Sequence, residues 1–218
     1  MLSRKILVAP SILASDFSRL GDEVERVTSA GADWIHCDVM DGHFVDNISF
    51  GPAIVEAASR YTSLPLDVHL MIDHPDRYLE RFMSFASSIS VHLEAPHDVS
   101  KTLATVREAG LLAGLAISPQ TPIEKIEPYL GAFDILLIMT VNPGRGGQAF
   151  LPDMLPKIAQ AAIWRSQGGH EFHIEVDGGI NARTALDSVQ AGANILVAGT
   201  SVFRAPDAAV EIKQLREV

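Results

Sequence analysis

Short apolar runs alternate with longer amphipathic stretches along the whole chain. Eight runs, at residues 6–9, 34–39, 66–71, 89–93, 113–117, 135–140, 172–176 and 195–198, are mostly rich in Ile, Leu and Val. Runs of this length and composition predict β-strands covered on both faces. Between and after them lie predicted helices at 17–30, 52–60, 75–86, 99–109, 122–130, 152–167, 182–191 and 208–218. The first carries Leu20, Val24 and Val27 at helical spacing and stops at Gly31. Several open at a proline, which suits a first helical turn. Several close near a glycine such as Gly110, Gly131, Gly168 or Gly192. No linker, low-complexity tract or break in composition separates these units, so residues 1–218 are expected to form one domain.

Repeated β-α units imply a parallel sheet. Eight of them predict a closed (β/α)8 barrel, the TIM-barrel architecture of the α/β class. An open doubly wound sheet is the competing arrangement. It is disfavoured because no Gly-x-Gly-x-x-Gly turn follows the first strand. In a barrel the active site lies at the C-terminal strand ends, so polar residues there should add up to one chemistry.

Strand side chains alternate between faces. At the end of the second strand His36, Asp38 and Met40 therefore share a face, and so do Asp67, His69 and Met71 on the third. On the seventh, His173, Glu175 and Asp177 are aligned in the same way. Imidazoles and carboxylates inside an apolar strand are costly unless paired or metal-bound. Two imidazoles, His36 and His69, and two carboxylates, Asp38 and Asp177, suit a divalent metal such as Zn²⁺, Mn²⁺ or Fe²⁺. Ligand softness does not choose among these. A lone strand histidine is more often a hydrogen-bonded core residue, and His92 is read either that way or as support for a ligand. Cys37 has the opposite parity to His36 and reads as a small buried hydrophobe.

Three glycine-rich turns follow strands six, seven and eight: Gly144-Arg145-Gly146-Gly147, Gly178-Gly179, and Gly199-Thr200-Ser201. Glycines let a backbone approach a ligand closely and turn several N–H groups toward it. Barrel phosphate sites often use the loops after strands seven and eight. Three such turns at one end favour a phosphate over three unrelated tight turns. Met40, Met71 and Met139 fall at or near strand ends, where they either pack the core or cap a flat intermediate.

Composition narrows the partners. Hydrophobic residues make up 47% and charged residues 20%, with a formal net charge of -10. No basic stripe is evident, so no nucleic-acid partner is expected. No apolar stretch is long and charge-free enough to span a bilayer, so no membrane partner is expected. Arg4 and Lys5 precede an apolar run, but Pro10 and Ser11 break it and Asp16 follows, so it reads as a first strand, not a signal peptide. A single cysteine gives no sign of an oxidising compartment, and a cytoplasmic location is expected.

The strand-end segments resemble the ribulose-phosphate 3-epimerase family over nearly the whole chain. The matching pieces are Pro10-Ser11-Ile12-Leu13, the stretch from His36 to Val45, Asp67-Val68-His69-Leu70-Met71, Val91-His92-Leu93-Glu94-Ala95, Val141-Asn142-Pro143-Gly144 with Gly146-Gly147-Gln148, and Glu175-Val176-Asp177-Gly178-Gly179-Ile180. The resemblance implies a barrel of the ribulose-phosphate binding type that interconverts D-ribulose 5-phosphate and D-xylulose 5-phosphate through an enediolate, in the pentose phosphate pathway. It implies one divalent cation (Zn²⁺, Fe²⁺, Mn²⁺ or Co²⁺) held by His36, Asp38, His69 and Asp177. It implies Asp38 and Asp177 as the acid/base pair, and Ser11, His69 and Asp177 as substrate contacts. The phosphate is expected against Gly144, Arg145, Gly146, Gly147, Gly178, Gly179, Gly199 and Thr200, with Ser201 nearby. Family members are often homo-oligomers, so a homo-oligomer with a small sugar-phosphate substrate is expected.

Four places depart from the family pattern: Ala14-Ser15-Asp16-Phe17, Asp46 for a proline, Arg145 for an aromatic residue, and Ser118-Pro119 for Asn-Pro. None removes a proposed ligand or acid/base group. The nearest competing activity is 3-epimerisation of another ketose phosphate such as D-allulose 6-phosphate. A Schiff-base aldolase needs a lysine at a strand end, and the predicted strands lack one there. A non-catalytic binder has no use for two opposed aspartates.

Overall fold

A computed structural model of the chain describes residues 5–218; Arg4 of the signal-like segment lies outside them. Eight parallel strands form one sheet: β1 (Leu7–Pro10), β2 (Ile35–Met40), β3 (Leu66–Met71), β4 (Ser88–His92), β5 (Leu112–Ile117), β6 (Ile135–Met139), β7 (His173–Asp177) and β8 (Ile195–Ala198). Their order is β1-β8-β7-β6-β5-β4-β3-β2. The two ends meet through a Ser11–His36 bridge and a 2.9 Å bond from the Asp33 N–H to the Val8 carbonyl, which closes the ring. The fold is a single (β/α)8 TIM barrel.

Strand alternation divides the molecule into two compartments. Outward residues such as Val8, Ile35, Val68, Val91, Leu115, Ile138, Val176 and Leu196 belong to one continuous apolar core that also includes the inner faces of the helices. Cys37 lies in this core, as expected of a small hydrophobe. The barrel interior is different. It holds three small apolar groups, including Ala116 with Leu137 and Met139, and Ala9 with Ile195 and Val197. The remaining space is polar, with His36, Asp38, Asp67, His69, Ser88, Ser90, His92 and Glu175 all buried. Packing there is tight enough that a Cβ on Gly114 would sit 1.9 Å from Ser90 Oγ and 2.8 Å from Ser90 Cα, so only glycine fits.

The helices are α1 (Leu20–Ser29), α2 (Pro52–Ser59), α3 (Val99–Glu108), α4 (Leu155–Gln167), α5 (Ala182–Ala191), α6 (Thr200–Phe203) and α7 (Ala208–Arg216). Asn181 and Thr184 form a capping box on α5, and Gly192 ends it in the left-handed region. Two expected helices are corrected. The segment at 75–86 contains only the 3-10 turns Pro75–Arg77 and Leu79–Arg81, and Tyr78 interrupts them. Its buried Leu79 and Phe82 are three residues apart, a step that a 3-10 turn brings into line. The segment at 122–130 is the 3-10 helix Ile123–Tyr129, in which Pro128 has no N–H to donate. The expected helices at 17–30 and 152–167 begin with 3-10 turns, Phe17–Arg19 and Pro152–Met154. The one-turn α6, directly after β8, was not expected from the periodicity. No described helix is long and apolar enough to cross a membrane.

Candidate active site

Near the end of β2, Asp38 faces two imidazoles and a hydroxyl. Its Oδ1 lies 3.2 Å from His36 Nε2 and 3.1 Å from His69 Nδ1, while Oδ2 accepts a 2.5 Å bond from the Ser11 hydroxyl. Asp177, at the end of β7, brings Oδ2 to 3.7 Å from His69 Nδ1. One ligand atom from each of His36, Asp38, His69 and Asp177 falls within a 4.8 Å cluster. The four residues chosen from strand parity are therefore brought together, and their donor set could hold a metal ion.

The far nitrogen of each histidine is also engaged. His36 Nδ1 is 2.6 Å from Asp67 Oδ2, and Asp67 Oδ1 accepts a 2.5 Å bond from Ser88. His69 Nε2 is 2.9 Å from His92 Nε2. Metal-binding histidines characteristically have their second nitrogen held in this way, so the residues present fit a cation. Glu175 shares the lower chamber, 3.6 Å from His36, and both its oxygens are buried without a hydrogen-bond partner. His173 does not join the site. It sits at the opposite end of β7 against Asn194 and the Trp34 ring.

The charges in this cluster are mutually dependent. Burial disfavours ionised Asp38, but His36 and His69 outweigh it and hold the carboxyl below its usual range. Burial also opposes protonation of His36, yet Asp38 and Asp67 outweigh it and raise the imidazole well above its ordinary value. Asp177 moves the other way: burial, followed by the Asp38 charge, pushes it up to about 8. Burial, then the Asp67 charge, raises Glu175 as well. His69 is lowered by burial to about 4. The metal-free cluster thus holds Asp38 ionised and Asp177 protonated near neutral pH.

Above the cluster opens a cavity of about 1030 Å³. Ser11, Asp38 and Asp177 line its floor, and Met40, Met71 and Met139 border it. The turns carrying Gly144, Arg145, Gly146 and Gly147, Gly178 and Gly179, and Gly199, Thr200 and Ser201 line it too. Gly178 and Gly179 have φ of +116° and +68°, and a Cβ on Gly179 would lie 2.4 Å from the Phe150 N. Their glycine requirement comes from close packing beneath the loop after β6. Asn47 ties the loop after β2 to the same region by donating to the Gly144 carbonyl at 2.7 Å. Arg145 is three-quarters exposed on the rim, 4.0 Å from Asp46, so two of the departures from the family pattern face each other. Ser118, a third, contributes its backbone N–H to Glu94, a bond that any residue except proline can make.

Residues around His92 were only partly anticipated. His92 Nδ1 is 3.0 Å from Glu94 Oε2, and Glu94 Oε1 accepts from the Ser118 N–H at 2.8 Å and from the Thr121 hydroxyl. Burial opposes ionisation of Glu94, but His92, Thr121 and Ser118 hold it down at about 2. The His-x-Glu spacing signals that His92 and Glu94 share a face; nothing in the sequence pairs Glu94 with the loop after β5.

A parallel barrel with an imidazole–carboxylate cluster sunk in its C-terminal mouth defines a (β/α)8-barrel enzyme. The profile of the Ribulose-phosphate 3 epimerase family matches residues 7–203. A ribulose-phosphate 3-epimerase of Synechocystis sp. is 49% identical over 219 residues, covering 99% of this chain and 95% of the relative. One of Bacillus subtilis is 48% identical over 213 residues, covering 97% and 98%. The chain belongs to the ribulose-phosphate 3-epimerase family and is an isomerase of that kind. Among solved structures, 3-hexulose-6-phosphate synthase from Salmonella typhimurium superposes with a TM-score of 0.69 at 17% identity, covering 98% of this chain and 97% of that one. At that identity the likeness shows the barrel alone.

Proposed function

We propose that this enzyme interconverts D-ribulose 5-phosphate and D-xylulose 5-phosphate by moving a proton at C3, with Asp38 and Asp177 as the acid/base pair. The observation that carries this reading is the placement of the two carboxylates: Asp38 on β2 and Asp177 at the end of β7 both line the cavity floor, and His69 lies between them, 3.1 Å from Asp38 and 3.7 Å from Asp177. Inverting a carbon beside a ketone needs one group to take a proton from one face and another to return one to the opposite face. Two carboxyls whose environments separate their pKa values are suited to those roles. They arise on β2 and β7, which β1 and β8 separate around the ring. The roles swap with the direction of reaction.

A divalent cation on His36, Asp38, His69 and Asp177 supplies Lewis-acid stabilisation of the charge that develops on the substrate oxygens. The chain's own residues do the rest. Ser11 orients Asp38 through its 2.5 Å bond and contacts the substrate. Met40, Met71 and Met139 cover the flat enediolate and keep water from it. Gly144, Gly146 and Gly147, Gly178 and Gly179, and Gly199 and Thr200 present backbone N–H groups to the phosphate. Ser201 Oγ, buried in the same wall without a partner, supports an anion there, and Arg145, Arg183 and Arg204 line that cavity as cations. Arg145, being on the rim, contributes long-range attraction.

The test incubates purified protein with D-ribulose 5-phosphate in D₂O, before and after chelation. Deuterium at C3 together with chelator-sensitive D-xylulose 5-phosphate is the expected result. Turnover that survives complete metal removal overturns the cation's role. Faster turnover of D-allulose 6-phosphate than of the pentulose phosphate overturns the substrate.

A further inference from the structure

We propose that Glu94, acting through His92, sets the tautomer of His69 and so determines whether His69 Nδ1 can bind a cation. The inference rests on the metal reading of the site.

A backbone N–H can only donate, so the Ser118 N–H, 2.8 Å away, makes Glu94 Oε1 an acceptor. The Thr121 hydroxyl adds a second donor to the same oxygen. These bonds orient the carboxylate and aim Oε2 at His92 Nδ1, 3.0 Å away. A carboxylate in this setting has nothing to donate, so His92 Nδ1 carries the proton. A neutral imidazole then has a bare Nε2. That nitrogen lies 2.9 Å from His69 Nε2, which must be the donor of the pair. His69 in turn has a bare Nδ1, and this is the atom 3.1 Å from Asp38 Oδ1 and 3.7 Å from Asp177 Oδ2. With both imidazoles neutral each link permits one direction, and that direction originates in the backbone at Ser118.

The supports of the relay are themselves fixed. His92 is fully buried, and the Phe44 ring packs 4.7 Å from its own. Lys157, on α4, donates to the carbonyls of Pro119 and Thr121 at 2.6 Å each, holding the loop that presents Ser118 and Thr121. A bare Nδ1 facing the Asp38 carboxylate puts two acceptors against each other, a gap that a cation fills, so the relay holds the site ready for one.

Glu94→Gln reverses the relay. The glutamine oxygen must face the Ser118 N–H, so its NH₂ faces His92 Nδ1 and donates. His92 then carries its proton on Nε2, and His69 receives it there and keeps its own on Nδ1, where a cation would bind. Nitrogen NMR of histidine-labelled, metal-free protein should show His69 protonated at Nε2 in the parent and at Nδ1 in the variant. Affinity for Zn²⁺ or Mn²⁺, measured against a competing chelator without substrate, should fall about 10- to 100-fold, as for other residues that orient a metal ligand. Thr121→Val removes one donor but leaves the Ser118 N–H, so it should change neither the tautomer nor the affinity. A parent His69 already protonated at Nδ1 overturns the relay, as does a folded Glu94→Gln protein with unchanged tautomer and affinity. So does a Thr121→Val protein that behaves like Glu94→Gln. If Glu94→Gln does not fold, the parent spectrum alone still decides the proton order. Because the spectra need no metal, a parent that binds no cation overturns the metal reading separately.

Discussion

At the N-terminal end of the barrel, Asp33 receives Lys5 at 2.8 Å, the Val8 N–H at 3.0 Å and Arg216 at 2.7 Å. Asp134, immediately before β6, receives two nitrogens of the Arg107 guanidinium and the Ala113 N–H. At the mouth, Asp38 and Asp177 share the His69 imidazole, His36 adds a second to Asp38, and among the described residues no lysine or arginine is paired to either. Glu175 beneath them has His36 at 3.6 Å but no hydrogen-bond partner for either oxygen. The same residue type is neutralised and tied to strand backbone at one end, and left electrostatically incomplete at the other. A carboxylate paired with a lysine or arginine holds the barrel together. One that faces only imidazoles and a hydroxyl is available to a proton, a cation or a substrate.

The sharpest way to break this comparison is to remove a carboxylate from each end. Asp177→Asn should lower kcat by about 10²- to 10⁴-fold, the usual range for a general acid or base. Its Tm in chelator-treated protein should not fall, because the change removes a group held beside the Asp38 charge. Asp33→Asn should do the reverse, leaving kcat unchanged while stability falls by about 1–3 kcal/mol, read from denaturant unfolding. If Asp33→Asn abolished activity in folded protein, or Asp177→Asn unfolded it, the division between the ends would be wrong.

Gly114→Ala tests the interior between the two ends. The added methyl collides with the Ser90 backbone as well as its hydroxyl, so stability should drop by about 1–3 kcal/mol in thermal or denaturant unfolding. An unchanged protein would mean the polar interior is loosely packed.

Acid sharpens the same contrast. Burial opposes ionisation of Asp33, but Lys5, the Val8 N–H and Arg216 outweigh it, and its folded pKa lies below the ordinary value. A depressed carboxylate contributes stability that is fully present above its unfolded pKa, about 3.9, and is lost as pH falls through the folded value. Unfolding free energy should therefore decline below about pH 4, and Asp33→Asn should flatten that decline. The smallest effect belongs to Arg145→Ala. An exposed pair such as Arg145–Asp46 contributes about 0–1 kcal/mol, so stability should hardly move. KM for the phosphorylated substrate should rise by less than about tenfold, with kcat retained.

Much of this was legible in the sequence for a specific physical reason. Period-two alternation is rigid, so Asp38, His69 and Asp177 could be assigned to one face before any fold was known. Strand length and β-branched composition marked all eight strands to within one or two residues. Helices were less legible where periodicity was satisfied by tighter turns, as at Leu79 and Phe82, or where Pro128 removed a donor. His173 shows the limit of parity: it shares a face with Asp177 but lies at the other end of the strand, and alternation does not encode height along the barrel. The Glu94–Ser118 bond was illegible because it joins the turn after β4 to the loop after β5 through a backbone N–H, which leaves no trace in side-chain pattern.

The most direct test of the two-carboxylate account is hydrogen exchange by Asp177→Asn in D₂O, starting separately from D-ribulose 5-phosphate and D-xylulose 5-phosphate. With Asp38 intact and Asp177 unable to take a proton, one epimer should acquire deuterium at C3 and the other should not, and neither should convert to its partner. Equal labelling of both epimers, or conversion at the parent rate, would contradict the assignment of the two faces to Asp38 and Asp177.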